Sequence, residues 1–259
     1  MKLKTAIIQF KPELGDIEAN LAKLDQLIER VNESSLVVMP ELASTGYNFS
    51  SFNQAYQCSE SLEESVYMSF LAEKALKRDI FIVSGFNERK GDKLFNSSVL
   101  IGPGGCIDVY RKIHLFMNEK DIFQKGDGNM PVIDIGGVKV GMLICFDYLF
   151  PEIWRMLAIR GTDIICHPSN LLTQNAHRCI PALSLMNRIF ILNANRIGYE
   201  RGLLFNGQSF VTNPYGEVMQ KASEDNEEVI HVTLDIDQAR DKWVTERNHA
   251  FDDRRTDLY

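Results

Sequence analysis

The chain has 259 residues, 45% of them hydrophobic and 24% charged, so it is long enough for one large or two small globular domains around a sizeable core. Its formal charge of -7 argues against nucleic acid or an anionic membrane as partner, because both attract surfaces rich in Lys and Arg. No window approaches the roughly 18 to 20 uninterrupted apolar residues of a membrane helix. Five cysteines, Cys58, Cys106, Cys145, Cys166 and Cys179, make an odd set without a CxxC spacing, which disfavours a disulfide framework and leads us to expect a cytoplasmic protein.

The apolar run closing at Phe10 is too short for a signal peptide core and reads as a first strand. Asp16 is placed to cap a helix whose apolar positions Ile17, Leu21, Leu24, Ile28 and Val31 step by four and three. A buried strand follows at Leu36-Val-Val-Met39. Ser61 with Glu64 three residues on predicts the opening of a second helix, before a strand at 80–84. From Asn96 to Ile135 the texture becomes short strands punctuated by Gly102-Pro-Gly-Gly105 and Gly136-Gly137. Val138 to Cys145 predicts one more apolar strand. Pro151 suits a first helical turn, giving a helix over 151–160 that ends at Gly161. A strand at Asp163 to His167, a helix over 176–188 and strands at Phe190 to Asn195, 208–212 and 229–234 complete the chain. With no linker or repeat, the pattern predicts one mixed α/β domain with helices covering sheets.

Several residues invite a chemical reading beside a plain one. Cys145 ends an apolar strand just before a Pro-led helix, a place where unpaired backbone N–H groups point outward, although a lone buried cysteine is ordinarily an inert small hydrophobe. Glu41 follows Val37-Val-Met-Pro40 at the carboxyl end of a strand, the edge where α/β sheets place ligands; it reads equally as a first-turn cap. Lys112 in Tyr110-Arg-Lys-Ile-His114 and Glu119 in Asn118-Glu-Lys-Asp121 would each pass for solvated charge. His114, His167 and His177 lack the spacing of a papain-like Cys-His pair, and hydrogen bonding in helices or loops is the expectation for them. No HExxH or paired-ligand spacing marks a metal, and Gly102-Pro-Gly-Gly105 lacks the Lys and Ser or Thr of a phosphate loop.

Three blocks in order, Pro40-Glu41-Leu-Ala-Ser-Thr-Gly-Tyr47, Tyr110-Arg-Lys112-Ile-His-Leu115 and Ile144-Cys145-Phe-Asp-Tyr-Leu-Phe-Pro-Glu152, resemble the motifs of the nitrilase superfamily of carbon-nitrogen hydrolases. The resemblance continues through Glu119 to Asp127, Arg160-Gly-Thr-Asp-Ile-Ile, Asn187 to Arg196 and the tail Arg254 to Tyr259, almost the whole chain. It implies a four-layer α-β-β-α sandwich in a single domain over 1–259, paired into a homodimer or higher homo-oligomer with the tail from about 245 reaching the partner. One departure stands out. In the helix before Asn187 the family usually carries an Arg and a Glu three apart, where this chain has Leu183 and Met186.

By the same resemblance Cys145 is the nucleophile, Glu41 the general base and acid, Lys112 the cation that stabilises the intermediate, and Glu119 a supporting carboxylate. The Phe146 backbone N–H, Tyr47, Tyr148 and Asn170 are the expected substrate contacts. The implied activity is amidase-like hydrolysis of a small amide through a thioester, releasing ammonia and an acid, with no cofactor or metal and with water as co-substrate. Hydrolysis of small aliphatic nitriles or of N-carbamoyl amines uses the same residues. N-acyl transfer and a non-catalytic interaction role are the readings of another class.

Overall fold

A computed structural model describes residues 1–258, so Tyr259, the last residue of the tail noted above, lies outside the described residues. The strands are β1 (Lys2–Gln9), β2 (Leu36–Val38), β3 (Phe81–Lys90), β4 (Lys93–Gly102), β5 (Gly105–Arg111), β6 (Val132–Asp134), β7 (Lys139–Met142), β8 (Ile164–Ser169), β9 (Phe190–Asn195), β10 (Ile197–Glu200), β11 (Leu203–Asn206), β12 (Phe210–Thr212), β13 (Val218–Lys221), β14 (Glu228–Asp235), β15 (Trp243–Thr245) and β16 (Asn248–His249). The helices are α1 (Ile17–Glu29), α2 (Phe52–Gln57), α3 (Val66–Arg78), α4 (Glu119–Ile122), α5 (Pro151–Ile159), α6 (Asn175–Asn187) and α7 (Asp237–Arg240).

Twelve strands form two six-stranded sheets, ordered β14-β1-β2-β3-β4-β5 and β13-β12-β9-β8-β7-β6. β1, β2 and β3 run parallel, as do β7, β8 and β9, while β14, β4, β5, β6, β12 and β13 are added antiparallel. The parallel centres are apolar on both faces, as strands covered on two sides must be. In the first sheet the pleat sends Ile7, Leu36, Val38, Val83 and Leu100 toward the second sheet, where they pack with Val140, Met142 and Ile164. The alternate residues Ala6, Ile8, Val37, Ile82 and Val99 face Leu24, Leu27 and Ile28 of α1 and Tyr67 and Leu71 of α3. α5 and α6 cover the second sheet through Trp154, Leu157, Ile180 and Leu183, which completes the α-β-β-α order.

Most predicted elements stand where the sequence places them. Asp16 accepts from the Ala19 N–H at 3.0 Å and opens α1, and Pro151 is the first residue of α5. Three expectations need correction. Ser61 accepts from the Glu64 N–H at 3.0 Å and closes only a turn; α3 starts later, because Ser65 caps Met68 at 2.9 Å and Glu60 takes the Val66 N–H at 2.7 Å. The strand expected at 80–84 runs on and those from Asn96 are not all short, since β3 and β4 form a hairpin of ten residues a side. Finally, β7 ends at Met142 rather than at Cys145. Asp147 Oδ2 draws the Ile144 N–H away at 2.9 Å, and Cys145 begins a 3-10 turn, Cys145–Leu149, with φ +41°.

The candidate active site

Glu41 leaves the first sheet just beyond β2, and Lys112 leaves it just beyond β5. Both side chains are fully buried. Lys112 Nζ donates to Glu41 Oε1 at 2.6 Å and to Glu119 Oε1 at 2.8 Å. Asn96, on β4, donates to the same Glu41 oxygen at 2.7 Å, while Glu41 Oε2 is buried and has no hydrogen-bond partner among the described residues. An ammonium and two carboxylates therefore sit out of water, with one carboxylate lone-pair set left open. Such an arrangement is costly unless the charges are paired, and here the ammonium is in short contact with both carboxylates.

Close backbone approach makes this possible. A Cβ added at Gly85 of β3 would lie 2.2 Å from the Leu42 nitrogen and 2.5 Å from the Glu41 Cα, so only glycine lets β3 run against the Glu41 turn. Leu42 itself adopts φ +49°, which turns the chain away from the sheet right after the carboxylate.

Glu119, expected on its local sequence to be solvated, is buried in α4. Its Oε1 also accepts from the Tyr47 hydroxyl at 2.6 Å, and its Oε2 from the Phe116 N–H at 3.2 Å. Burial pushes its carboxyl up to about 7, against the pull of the Lys112 ammonium. Burial also works against the charge on Lys112, but Glu119 and Glu41 outweigh it and hold the ammonium above its ordinary value. Tyr47 is in turn held by Glu200, which accepts the Tyr47 N–H at 3.0 Å and the Asn48 N–H at 2.6 Å and pairs with the buried Arg196 at 2.7 Å.

Cys145 and Asn170 come from the second sheet. Burial, reinforced by the charge of Glu41 and only partly offset by Lys112, pushes the Cys145 thiol well above its ordinary value. That shift favours the protonated thiol over the thiolate. Asn170 Nδ2 donates to the Glu41 carbonyl at 3.1 Å, joining the ends of β2 and β8. Cys145 opens onto a cavity of about 40 Å³ walled by Phe116, Phe146, Tyr148 and Leu172, with Asn170 and Thr173 as its polar side chains. Of the expected substrate contacts, Phe146, Tyr148 and Asn170 line this cavity; Tyr47 does not, and faces Glu119 instead.

Asn96 and Asp147 carry no role in the sequence reading, and His167 carries only the expectation of a hydrogen bond. Asp147 is fully buried and accepts from Tyr110 at 2.7 Å, His114 at 2.8 Å and Ile144 at 2.9 Å. Tyr110 and His114 flank Lys112, and Asp147 lies two residues past Cys145, so one carboxylate ties the two motif segments together. The signal for it was the spacing itself. Asn96 was signalled by polar residues, Asn96-Ser-Ser98, inside an otherwise apolar strand. The three histidines offered as a base are all hydrogen-bonded: His114 to Asp147, His177 to the Gln208 carbonyl and His167, on a strand, to the Cys145 carbonyl. Among the described residues no three His, Cys, Asp or Glu side chains are grouped to hold a metal ion.

The profile of the carbon-nitrogen hydrolase family matches residues 4–242. The chain is 40% identical to the nitrilase of Pyrococcus abyssi, covering 99% of each chain, and 34% identical to the (R)-stereoselective amidase of a Pseudomonas species, covering 92% of this chain and 87% of that one. Among solved structures it is similar to the nitrilase-superfamily amidase of Nesterenkonia sp. AN1, at 26% identity and a TM-score of 0.81, covering 99% of this chain and 95% of that one. That amidase has been seen in complex with butyramide, and with the acetamide moiety of fluoroacetamide added covalently at its active site cysteine.

Proposed function

Because the chain belongs to the carbon-nitrogen hydrolase family, where it hydrolyses non-peptide carbon-nitrogen bonds, we propose that Cys145, Glu41, Lys112 and Glu119 carry that reaction on a small, uncharged aliphatic amide. The observation behind the roles is the buried Glu41-Lys112-Glu119 set with its one open oxygen, Glu41 Oε2, beside a cavity that opens on a thiol.

With the protonated thiol favoured, its proton passes to Glu41 as the sulfur attacks the amide carbon. The Lys112 ammonium, fixed by two carboxylates and unable to give up its proton cheaply, offers positive charge to the resulting oxyanion together with the Phe146 N–H. The tetrahedral intermediate collapses, Glu41 protonates the departing ammonia, and a thioester remains on Cys145. Water, deprotonated by Glu41, then attacks the thioester and releases the acid and the thiol. Glu119 stays near its protonation threshold and, through Tyr47 and the Phe116 N–H, keeps the ammonium in place.

The cavity supports this substrate class. It is small, and among its lining side chains there is no charge to meet one on the acyl group. An acyl chain ending in carboxylate would be buried there without a partner, at a cost of several kcal/mol. A second reading, hydrolysis of small nitriles by the same residues, is favoured by the name of the 40% identical relative.

Exposed Met156 and Ile159 on α5 and Leu185 and Met186 on α6, joined by the Arg155 side chain donating to the Met186 carbonyl at 2.7 Å, form an apolar face that suits a second copy of the chain. We place a homodimer there, with the tail from about 245 extending toward the partner. At this face the Leu183 and Met186 departure becomes intelligible: Leu183 is buried against the sheet and Met186 is presented outward. Among the described residues no helix is long and apolar enough to cross a membrane, and five free cysteines suit a reducing, cytoplasmic setting.

The deciding experiment measures ammonia release from propionamide, butyramide, succinamate and the matching nitriles, with Cys145→Ala as blank. Cys145-dependent turnover of the neutral amides with at least about 100-fold preference over succinamate supports the reading, that ratio being the scale of burying one unpaired charge. Preference for succinamate would refute the substrate class, and turnover surviving in Cys145→Ala would refute the covalent mechanism.

A further inference from the structure

His167 is fully buried on β8 and meets the nucleophile through its backbone: Nε2 lies 3.0 Å from the Cys145 carbonyl oxygen. A carbonyl only accepts, so Nε2 carries the proton. The opposite nitrogen confirms the tautomer, since Nδ1 accepts from Asn193 Nδ2 at 2.8 Å and from the Ser169 hydroxyl at 3.1 Å. Burial pulls the imidazole down to about 4, so the ring is neutral at physiological pH and its two nitrogens keep these roles.

Peptide geometry turns this contact into a statement about a neighbouring donor. No cis peptide bond occurs among the described residues. In a planar trans peptide the carbonyl and the N–H point in opposite directions. Holding the Cys145 carbonyl on His167 therefore turns the Phe146 N–H away from the imidazole, and Cys145 and Phe146 both line the cavity. Cys145 is itself in the left-handed region at φ +41°, a conformation that persists in a non-glycine residue only when its surroundings over-determine it.

We propose that His167 is a positioning residue for the oxyanion: by gripping the Cys145 carbonyl it aims the Phe146 N–H at the oxygen of the bound amide, and Asn193 and Ser169 in turn hold the ring. The inference rests on Cys145 being the nucleophile. It gives this histidine a role that neither general-base chemistry nor core packing describes.

Two reactions of the same sulfur separate the proposal from a merely structural role. Hydrolysis of an amide passes through an oxyanion, whereas alkylation by iodoacetamide forms a carbon-sulfur bond, expels iodide and makes none. In the full chain, His167→Phe is expected to lower kcat for the best amide of the panel about 100-fold. It should leave KM and the iodoacetamide rate within about threefold. Inhibition by butyraldehyde, whose adduct with the Cys145 thiol carries an oxygen in the oxyanion position, should weaken along with kcat. His167→Gln keeps an N–H donor, is expected to recover part of the loss, and serves as the working variant if His167→Phe does not fold. Equal losses in alkylation and hydrolysis, or an unchanged kcat, would overturn the proposal. Failure of the underlying reading looks different, as amide turnover that survives in Cys145→Ala.

Discussion

Glu41 and Glu119 approach the same ammonium from two segments, their Oε1 atoms 2.6 Å and 2.8 Å from Lys112 Nζ. One cation thus serves two buried carboxylates, and burial raises the Glu119 carboxyl from 4.5 to about 7. Between these values the folded chain holds more of this proton than the unfolded chain does. The associated stability is therefore complete below 4.5 and is lost as pH rises through about 7. We expect Glu119→Gln to remove this slope: relative to the variant, the parent chain should lose up to about 3 kcal/mol between pH 5 and pH 8, at about 1.4 kcal/mol per pH unit. Urea unfolding of both chains at the two pH values measures it, and parallel profiles would refute it.

Tyr47→Phe removes the hydroxyl that donates to Glu119 at 2.6 Å and that helps hold its carboxyl down. The Glu119 titration should move upward, carrying the acid limb of the pH-rate profile with it, and stability should fall by about 1 to 2 kcal/mol. A profile unchanged in position would show that Glu119 does not govern the rate.

Asp147→Asn replaces one carboxylate oxygen by an NH2 that only donates, taking the acceptor either from His114, which uses Oδ1, or from Tyr110 and the Ile144 N–H, which share Oδ2. It should cost about 2 to 3 kcal/mol in unfolding free energy. Displacement of Lys112 relative to Cys145 should lower kcat about tenfold to 100-fold. Tyr110→Phe, losing one donor only, should cost about 1 kcal/mol. If Asp147→Asn kept both stability and rate, the tie between the two segments would be of no consequence.

Gly85→Ala puts a methyl 2.2 Å from the Leu42 nitrogen, where only backbone lies nearby to give way. Overpacking of this kind costs about 1 to 3 kcal/mol or more, and because the displaced backbone is that of Glu41, activity should fall further than stability. Thermal unfolding and kcat measured together decide it; an ordinary Tm with full activity would contradict the close approach.

The apolar face on α5 and α6 gives a prediction about assembly. The parent chain should elute at the mass of a dimer, and Ile159→Asp combined with Leu185→Asp should shift it to monomer by light scattering. A monomeric parent chain would remove the homodimer.

Legibility in the sequence followed the range of the physics. Caps and punctuation act over a few residues, so Asp16, Pro151 and Gly161 mark their boundaries correctly, and apolar runs locate the parallel strands β2, β8 and β9. Ser61 misled because Glu60 and Ser65, five residues apart, together satisfy the N–H groups at the true helix start. The end of β7 was hidden because an aspartate beyond it withdraws a backbone N–H from the ladder. At the site, Glu41, Lys112 and Cys145 stood out only through their motif blocks; locally each looked ordinary. Glu119 looked solvated because its burial is supplied by Tyr47 and Lys112, 72 and 7 residues away in the chain. His167 was legible only as a hydrogen-bonded histidine, since the partner that matters is a backbone carbonyl 22 residues earlier.

Glu41 and Lys112 hang from one sheet, Cys145 and Asn170 from the other, and the apolar layer between the sheets, with the hydrogen bonds of Asp147 and Asn170 across it, brings them into register. The working centre is thus a seam rather than a feature of either half. A folding intermediate with one sheet formed would hold a carboxylate and an amine, or a thiol, but never both, so the exposed half-site stays chemically silent. Catalytic competence arrives only with the closing of the sandwich, and turnover is accordingly the most sensitive gauge of how well the two halves remain fitted.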